Sequence, residues 1–182
     1  MNRKISNATR LVAVLACAAL LQGCVSTAQF KTSAPGSTLA IRGASEKKEL
    51  PRAEDLGSKA TGQYQFMATP PQGEPLYGIL PLKVNGGKIV ASIMFFAPAL
   101  FIGGFRDPYG FYEFDPTAKA LRYKQAETDD WYTYIPTTSE SDRAKVYFDA
   151  LARGCTVSNV NGQETMNCPP TAAALPAPAT GK

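Results

Sequence analysis

Seventeen consecutive residues without a charged side chain, Ile89 to Phe105 (IVASIMFFAPALFIGGF), set the tightest limit on how this chain can fold. Pro98 interrupts the run, with Ala97 and Ala99 on either side. A proline inside a helix removes a backbone donor, clashes with the preceding turn and drives the residue before it toward extended backbone. One straight helix is therefore disfavoured, and the run falls short of the roughly 20 apolar residues that a transmembrane helix needs. Two arrangements remain. In one, the run is the central strand pair of a core, buried on both faces. In the other, two apolar arms form an exposed hairpin in a bilayer interface, with Phe95, Phe96, Phe101 and Phe105 inserted and Arg106 and Asp107 marking the return to water.

The remaining patterning is mostly of period two, which predicts a mainly β (α+β) fold: a small antiparallel sheet or sandwich, one C-terminal helix and the apolar, Pro-broken hairpin. Leu39 and Ile41 alternate with small or polar neighbours, as do Tyr64 and Phe66, and Leu76 to Val84 is an extended run broken at Pro81. Asn85-Gly86-Gly87 predicts a tight hairpin into a strand over Lys88 to Phe96. Phe111 to Phe114 and Ala120 to Lys124 read as a second hairpin about Asp115-Pro116, followed by an aromatic strand, Trp131 to Ile135. The helix is predicted from an N-cap at Ser139 or Ser141, through Ala144, Tyr147, Phe148 and Leu151, to a stop at Gly154. Its apolar stripe covers a sheet face or meets a partner.

The amino-terminal residues have the three zones of an export signal. Arg3, Lys4 and Arg10 give a positive start, Leu11 to Leu21 is an uncharged apolar stretch, and Gln22, Gly23 and Cys24 form a small-residue cleavage zone. Leu21-Gln22-Gly23-Cys24 resembles the lipobox of bacterial prolipoproteins, although Gln22 stands where a small residue is more usual. The resemblance implies diacylglycerol transfer to the Cys24 thiol, cleavage after Gly23 and acylation of the new amino terminus. The alternative box ending at Cys17 leaves an apolar core of only Leu11 to Ala16. The family's inner-membrane retention signal is an Asp after the cysteine; Val25 stands there, which implies sorting to the outer membrane, with the domain most readily on its periplasmic face. A shorter likeness lies at Pro35-Gly36-Ser37-Thr38-Leu39-Ala40-Ile41-Arg42-Gly43, which resembles the opening of PEGA-type β modules of bacterial envelopes. It implies a small β fold without enzymatic activity of its own.

On this reading residues 1–23 are a signal peptide, 24–36 a polar tether, 37–168 the β-rich domain and 169–182 a Pro/Ala-rich disordered tail. Nineteen Lys and Arg against fifteen Asp and Glu make the whole chain +4, and three of the basic residues leave with the signal. The densest basic cluster, Lys47-Lys48, is flanked by Glu46 and Glu49, so no nucleic-acid partner is indicated.

With Cys17 removed and Cys24 lipidated, Cys155 and Cys168 are the pair free to form a disulfide in an oxidising compartment. Two thiols in a chain with no histidine make a poor zinc shell, so no metal and no cofactor is expected. The absence of histidine also excludes Ser-His-Asp and Cys-His catalysis. Carboxylate pairs remain, as in glycosidases, with Glu113, Asp115, Asp129 and Asp130 as the acids nearest aromatic residues; turn and strand-end roles compete for each.

The expectation is thus a non-enzymatic outer-membrane lipoprotein, attached through Cys24, acting as a structural or interaction module with other envelope proteins as partners. An accessory subunit of an envelope assembly or transport machine and a carboxylate-dependent periplasmic carbohydrate-active enzyme are the alternatives.

Overall fold

The computed structural model describes residues 25–95, 104–160 and 163–169. Thirteen strands and two helices occur there, and the fold is mainly β as the patterning predicts. Five strands form one sheet: β1 (Val25–Thr32), β4 (Arg52–Gly57), β9 (Phe111–Asp115), β10 (Ala120–Lys124) and β11 (Tyr132–Tyr134), in the order β11-β10-β9-β1-β4. Four form a second: β2 (Thr38–Ile41), β3 (Ser45–Glu49), β5 (Gln65–Thr69) and β6 (Leu76–Ile79), in the order β3-β2-β5-β6. Pairing is antiparallel throughout except between β1 and β9.

Period-two alternation decides which side chains meet between the sheets. Ala28, Phe30, Leu56, Tyr112, Phe114 and Leu121 from the larger sheet close on Leu39, Ile41, Phe66, Ala68 and Leu76 from the smaller. Phe30 stacks on Tyr112 with centroids 5.4 Å apart, and Phe66 meets Phe114 edge-on at 5.0 Å. The smaller sheet's other face carries α2 (Thr138–Ala152), whose Ala144 and Phe148 are buried and whose Ser141 hydroxyl donates to the Tyr77 carbonyl. The predicted stripe is half right, because Ala150 is buried where Leu151 was expected. The cap is Thr137, not Ser139 or Ser141: its hydroxyl accepts from the Glu140 amide while Glu140 accepts from the Thr137 amide, a reciprocal capping box. Gly154, at φ +81°, follows the end of the helix as predicted.

Two expectations are overturned. Residues 25–32 are no tether but β1, hydrogen-bonded on both sides between β4 and β9. Ala28 and Phe30 bury while Thr27, Gln29 and Lys31 face out, an alternation that one alanine and one phenylalanine make easy to miss. The stretch after Asn85 is a helix, α1 (Gly86–Phe95), not a strand. Asn85 caps it: its side-chain oxygen accepts from the Lys88 amide and its carbonyl from the Ile89 amide. Asn-Gly-Gly suits a type I′ hairpin and a helix start alike, and the cap wins here.

β7 (Leu82–Val84) and β8 (Arg106–Pro108) pair to bracket α1, and Tyr112 ties them to the core by donating to the Pro81 carbonyl. The chain closes with the hairpin of β12 (Thr156–Val160) and β13 (Gln163–Asn167), bridged at its base by the predicted Cys155–Cys168 disulfide.

Candidate functional site at the β1 pole

Val25, the first described residue, pairs with Gly57 at the end of β4. The chain next to Cys24 therefore lies at one end of the larger sheet. Ser58 and Lys59 follow Gly57 directly, and they hold both ends of the segment that contains the apolar run. The Lys59 amide donates to the Arg106 carbonyl (2.8 Å), and the Lys59 carbonyl accepts from the Phe105 and Arg106 amides. The Asn85 amide in turn donates to the Phe105 carbonyl at 2.8 Å. Gly104 passes so close that a Cβ there would lie 2.8 Å from the Ser58 and Lys59 carbonyl carbons; its φ of +71° also suits glycine.

Side chains lock the same point. The Lys88 ammonium donates to the Ser58 hydroxyl (2.7 Å) and to an Asp107 carboxylate oxygen (2.6 Å), while Ser58 and Asn85 also donate to Asp107. Asp107 is 4% exposed, so it does not mark a return to water; it is the buried centre of a four-residue clamp. Burial pushes its pKa up, but hydrogen bonds from Asn85, Lys88 and Ser58 and the Lys88 charge outweigh this and hold it below its ordinary value. A serine at hydrogen-bond distance from a lysine invites a nucleophile–base reading. The lysine here is ion-paired, and an ammonium has no lone pair to take the serine proton. The clamp fastens α1 and β8 to β4.

The structure separates the remaining candidates. Cys24, Phe96 and Phe101 lie outside the described residues, and Phe95 closes α1. Phe105 is half-buried at the pole, and Val90 on α1 is 59% exposed. Each suspected acid but Asp130 has a local partner: Glu113 pairs with Arg122 across β9 and β10 (2.8 Å), Asp115 accepts from the Ala118 amide and Asp129 from the Ala126 amide. Asp130 is exposed in the turn before β11. Among the described residues no group of three or more potential ligands could hold a metal, and no helix is long and apolar enough to cross a membrane.

The architecture defines a two-sheet β sandwich with one helix laid on its outer face and a second helix clamped at the pole where β1 begins. No family model, curated protein or solved structure matches the chain.

Proposed function

We propose that this chain is an outer-membrane lipoprotein, held through a lipid on Cys24, whose sandwich is a non-enzymatic structural or interaction module set against the membrane. One observation supports it above the others: β1 begins at Val25, and the apolar segment leaves and re-enters the fold two residues beyond Gly57, the strand partner of Val25. A lipid at residue 24 and the apolar stretch 89–105 then belong to one pole. The lipid supplies the principal attachment, and Phe95, Phe96, Phe101 and Phe105 are the proposed second contact, since apolar area next to an anchor adds directly to interfacial binding. The module's partners are other envelope proteins that reach it at the membrane surface.

Metabolic labelling with an alkyne fatty acid tests the anchor. Cys24→Ala abolishes labelling and leaves an unprocessed precursor, whereas Cys17→Ala labels normally; labelling that survives the first change overturns the assignment. For the second contact, Phe95→Ser and Phe101→Ser are placed in a chain that starts at Val25 and so carries neither the apolar amino-terminal segment nor a lipid. The variants keep their β-sheet circular dichroism and lose binding to phospholipid vesicles. Unfolding in a protein that never bound vesicles assigns those rings to the core instead.

A further inference from the structure

α2 does not cover the outer face of the smaller sheet evenly. It packs chiefly on β6 and β5, and the flank beside β2 and β3 is left as a cleft of about 560 Å³. The floor is the cross-strand pair Ala40 and Met67, which point away from the core that takes Leu39, Ile41, Phe66 and Ala68. An alanine there gives depth, and a methionine adapts to what lies on it. Tyr147, Phe148 and Leu151 form the helix wall. Leu151, which the spacing predicts as part of the buried stripe, is 39% exposed and lines this cleft instead. A mostly apolar cleft of this size falls within the roughly 300–1,000 Å³ of small-molecule sites. The rim is charged. Arg42 stands at one end, its guanidinium 4.3 Å from the Tyr147 ring centroid and its Nη1 donating to the Gln65 side chain at 2.8 Å. Those contacts hold a planar cation in place at the edge of the cleft. Lys47, exposed on β3, lies on the wall opposite the helix, with Glu46 as the acid among the lining residues. Lys59 adds a third positive charge close by: burial, and after it the Arg42 charge, lowers its pKa.

We propose that this cleft binds a fatty acid as its anion, the hydrocarbon chain along Ala40, Met67 and Leu151 and the carboxylate on Arg42 and Lys47. An apolar trough with cations on its rim matches both halves of such a molecule. A neutral chain leaves the cations unused, and a small anion leaves the apolar walls in water, where each square ångström forgoes its transfer energy. A carboxylate also suits a guanidinium that is already oriented, because little ordering remains to be done on binding. The inference goes beyond the membrane contact proposed at residues 89–105 and needs neither that contact nor a lipid at Cys24.

Photolabelling of the full-length protein in phosphatidylcholine nanodiscs tests this with a diazirine-bearing dodecanoic acid and the matching dodecanol. Peptide mass spectrometry places the acid's label at residues 40–47, at Met67 and at residues 147–152. Excess dodecanoate removes that label, and the alcohol labels the same positions several-fold less. Leu151→Asp lowers the label there roughly tenfold or more, through loss of a leucine's apolar contact and repulsion of the carboxylate, and leaves the melting temperature within a few degrees of the parent. Lys47→Glu, on an exposed side chain, lowers the acid's label and leaves the alcohol's unchanged. Label no denser in the cleft than on the rest of the surface, equal labelling by the alcohol, or labelling unchanged in Leu151→Asp overturns the proposal. Labelling that appears only after deletion of residues 170–182, or only with one copy per nanodisc, gives the cleft to the carboxyl-terminal segment or to a second copy and likewise overturns it.

Discussion

The Lys88 ammonium lies 2.6 Å from the Asp107 carboxylate, and the two side chains are 21% and 6% exposed. Removing the acid leaves a desolvated cation and takes away the shared acceptor of the Ser58 and Asn85 side chains. Breaking one side of a buried ion pair typically costs about 3–5 kcal/mol, so Asp107→Ala lowers stability by about 3 kcal/mol in chemical denaturation. The same change frees the root of α1, and amide exchange accelerates first over residues 85–89.

The clamp sets an acid limit. Asp107 is held below its ordinary carboxyl pKa of 3.8, and Glu140 is also lowered, its burial outweighed by hydrogen bonds from Tyr134 and Thr137. A depressed folded-state pKa contributes stability that is complete above the unfolded value and lost as pH falls through the folded one. The melting temperature is therefore insensitive to these two groups at neutral pH and falls below about pH 4. Asp107→Asn flattens part of that fall; an unchanged acid limb in this variant contradicts the assignment.

Gly78 is a steric requirement. A Cβ at this position in β6 would stand 2.7 Å from Pro136 and 2.8 Å from the Phe66 ring. Its backbone conformation is ordinary, so the obstacle is contact alone. Gly78→Ala forces Phe66 off its place against Phe114, at a cost of about 1–3 kcal/mol by thermal unfolding, as for other overpacked cores.

Tyr112 is buried with both functions of its hydroxyl in use, donating to the Pro81 carbonyl at 2.7 Å and accepting from the Tyr109 amide at 2.9 Å. Tyr112→Phe keeps the stack on Phe30 and orphans two backbone groups. About 1–3 kcal/mol is lost, with protection from exchange falling at Tyr109 ahead of the rest of the core.

Reduction of the Cys155–Cys168 bridge acts locally. Among the described residues β12 and β13 pair only with each other, so the two main sheets do not need the bond to form. The Cys155→Ser, Cys168→Ser double variant keeps the sandwich, loses amide protection over residues 156–167 and is less stable by up to about 3 kcal/mol, the loop-closure estimate for a ring of this size.

Much of this fold is legible in the residues because it rests on local pattern. The hairpin of β9 and β10, the strand at Tyr64 to Phe66, the break at Pro81 and the helix stop at Gly154 all follow from alternation or from residues with narrow backbone preferences. Thr137-x-x-Glu140 is a capping box written in the sequence, with Ser139 inside it and Ser141 just past it competing for the cap by composition. Among the strands that escape notice, with β1, β8, β12 and β13, are β3 and β4, where Glu46-Lys47-Lys48-Glu49 and Arg52-Ala53-Glu54-Asp55 look like solvated loops. Both are sheet edges, and charge there is what keeps an edge from pairing with other chains. The pole is illegible for a different reason: it is assembled by long-range pairing, Lys59 with Arg106 and Lys88 with Ser58, and no window of sequence contains it.

The parallel pairing of β1 with β9 also orders events in time. Gln29 faces Phe111, so the second neighbour of β1 is synthesised roughly eighty residues after it, and non-local pairs of this kind form late. Until Asp115 is available β1 has only β4 for company, so its start stays half-paired, and the larger sheet locks around it only once the aromatic half of the chain arrives.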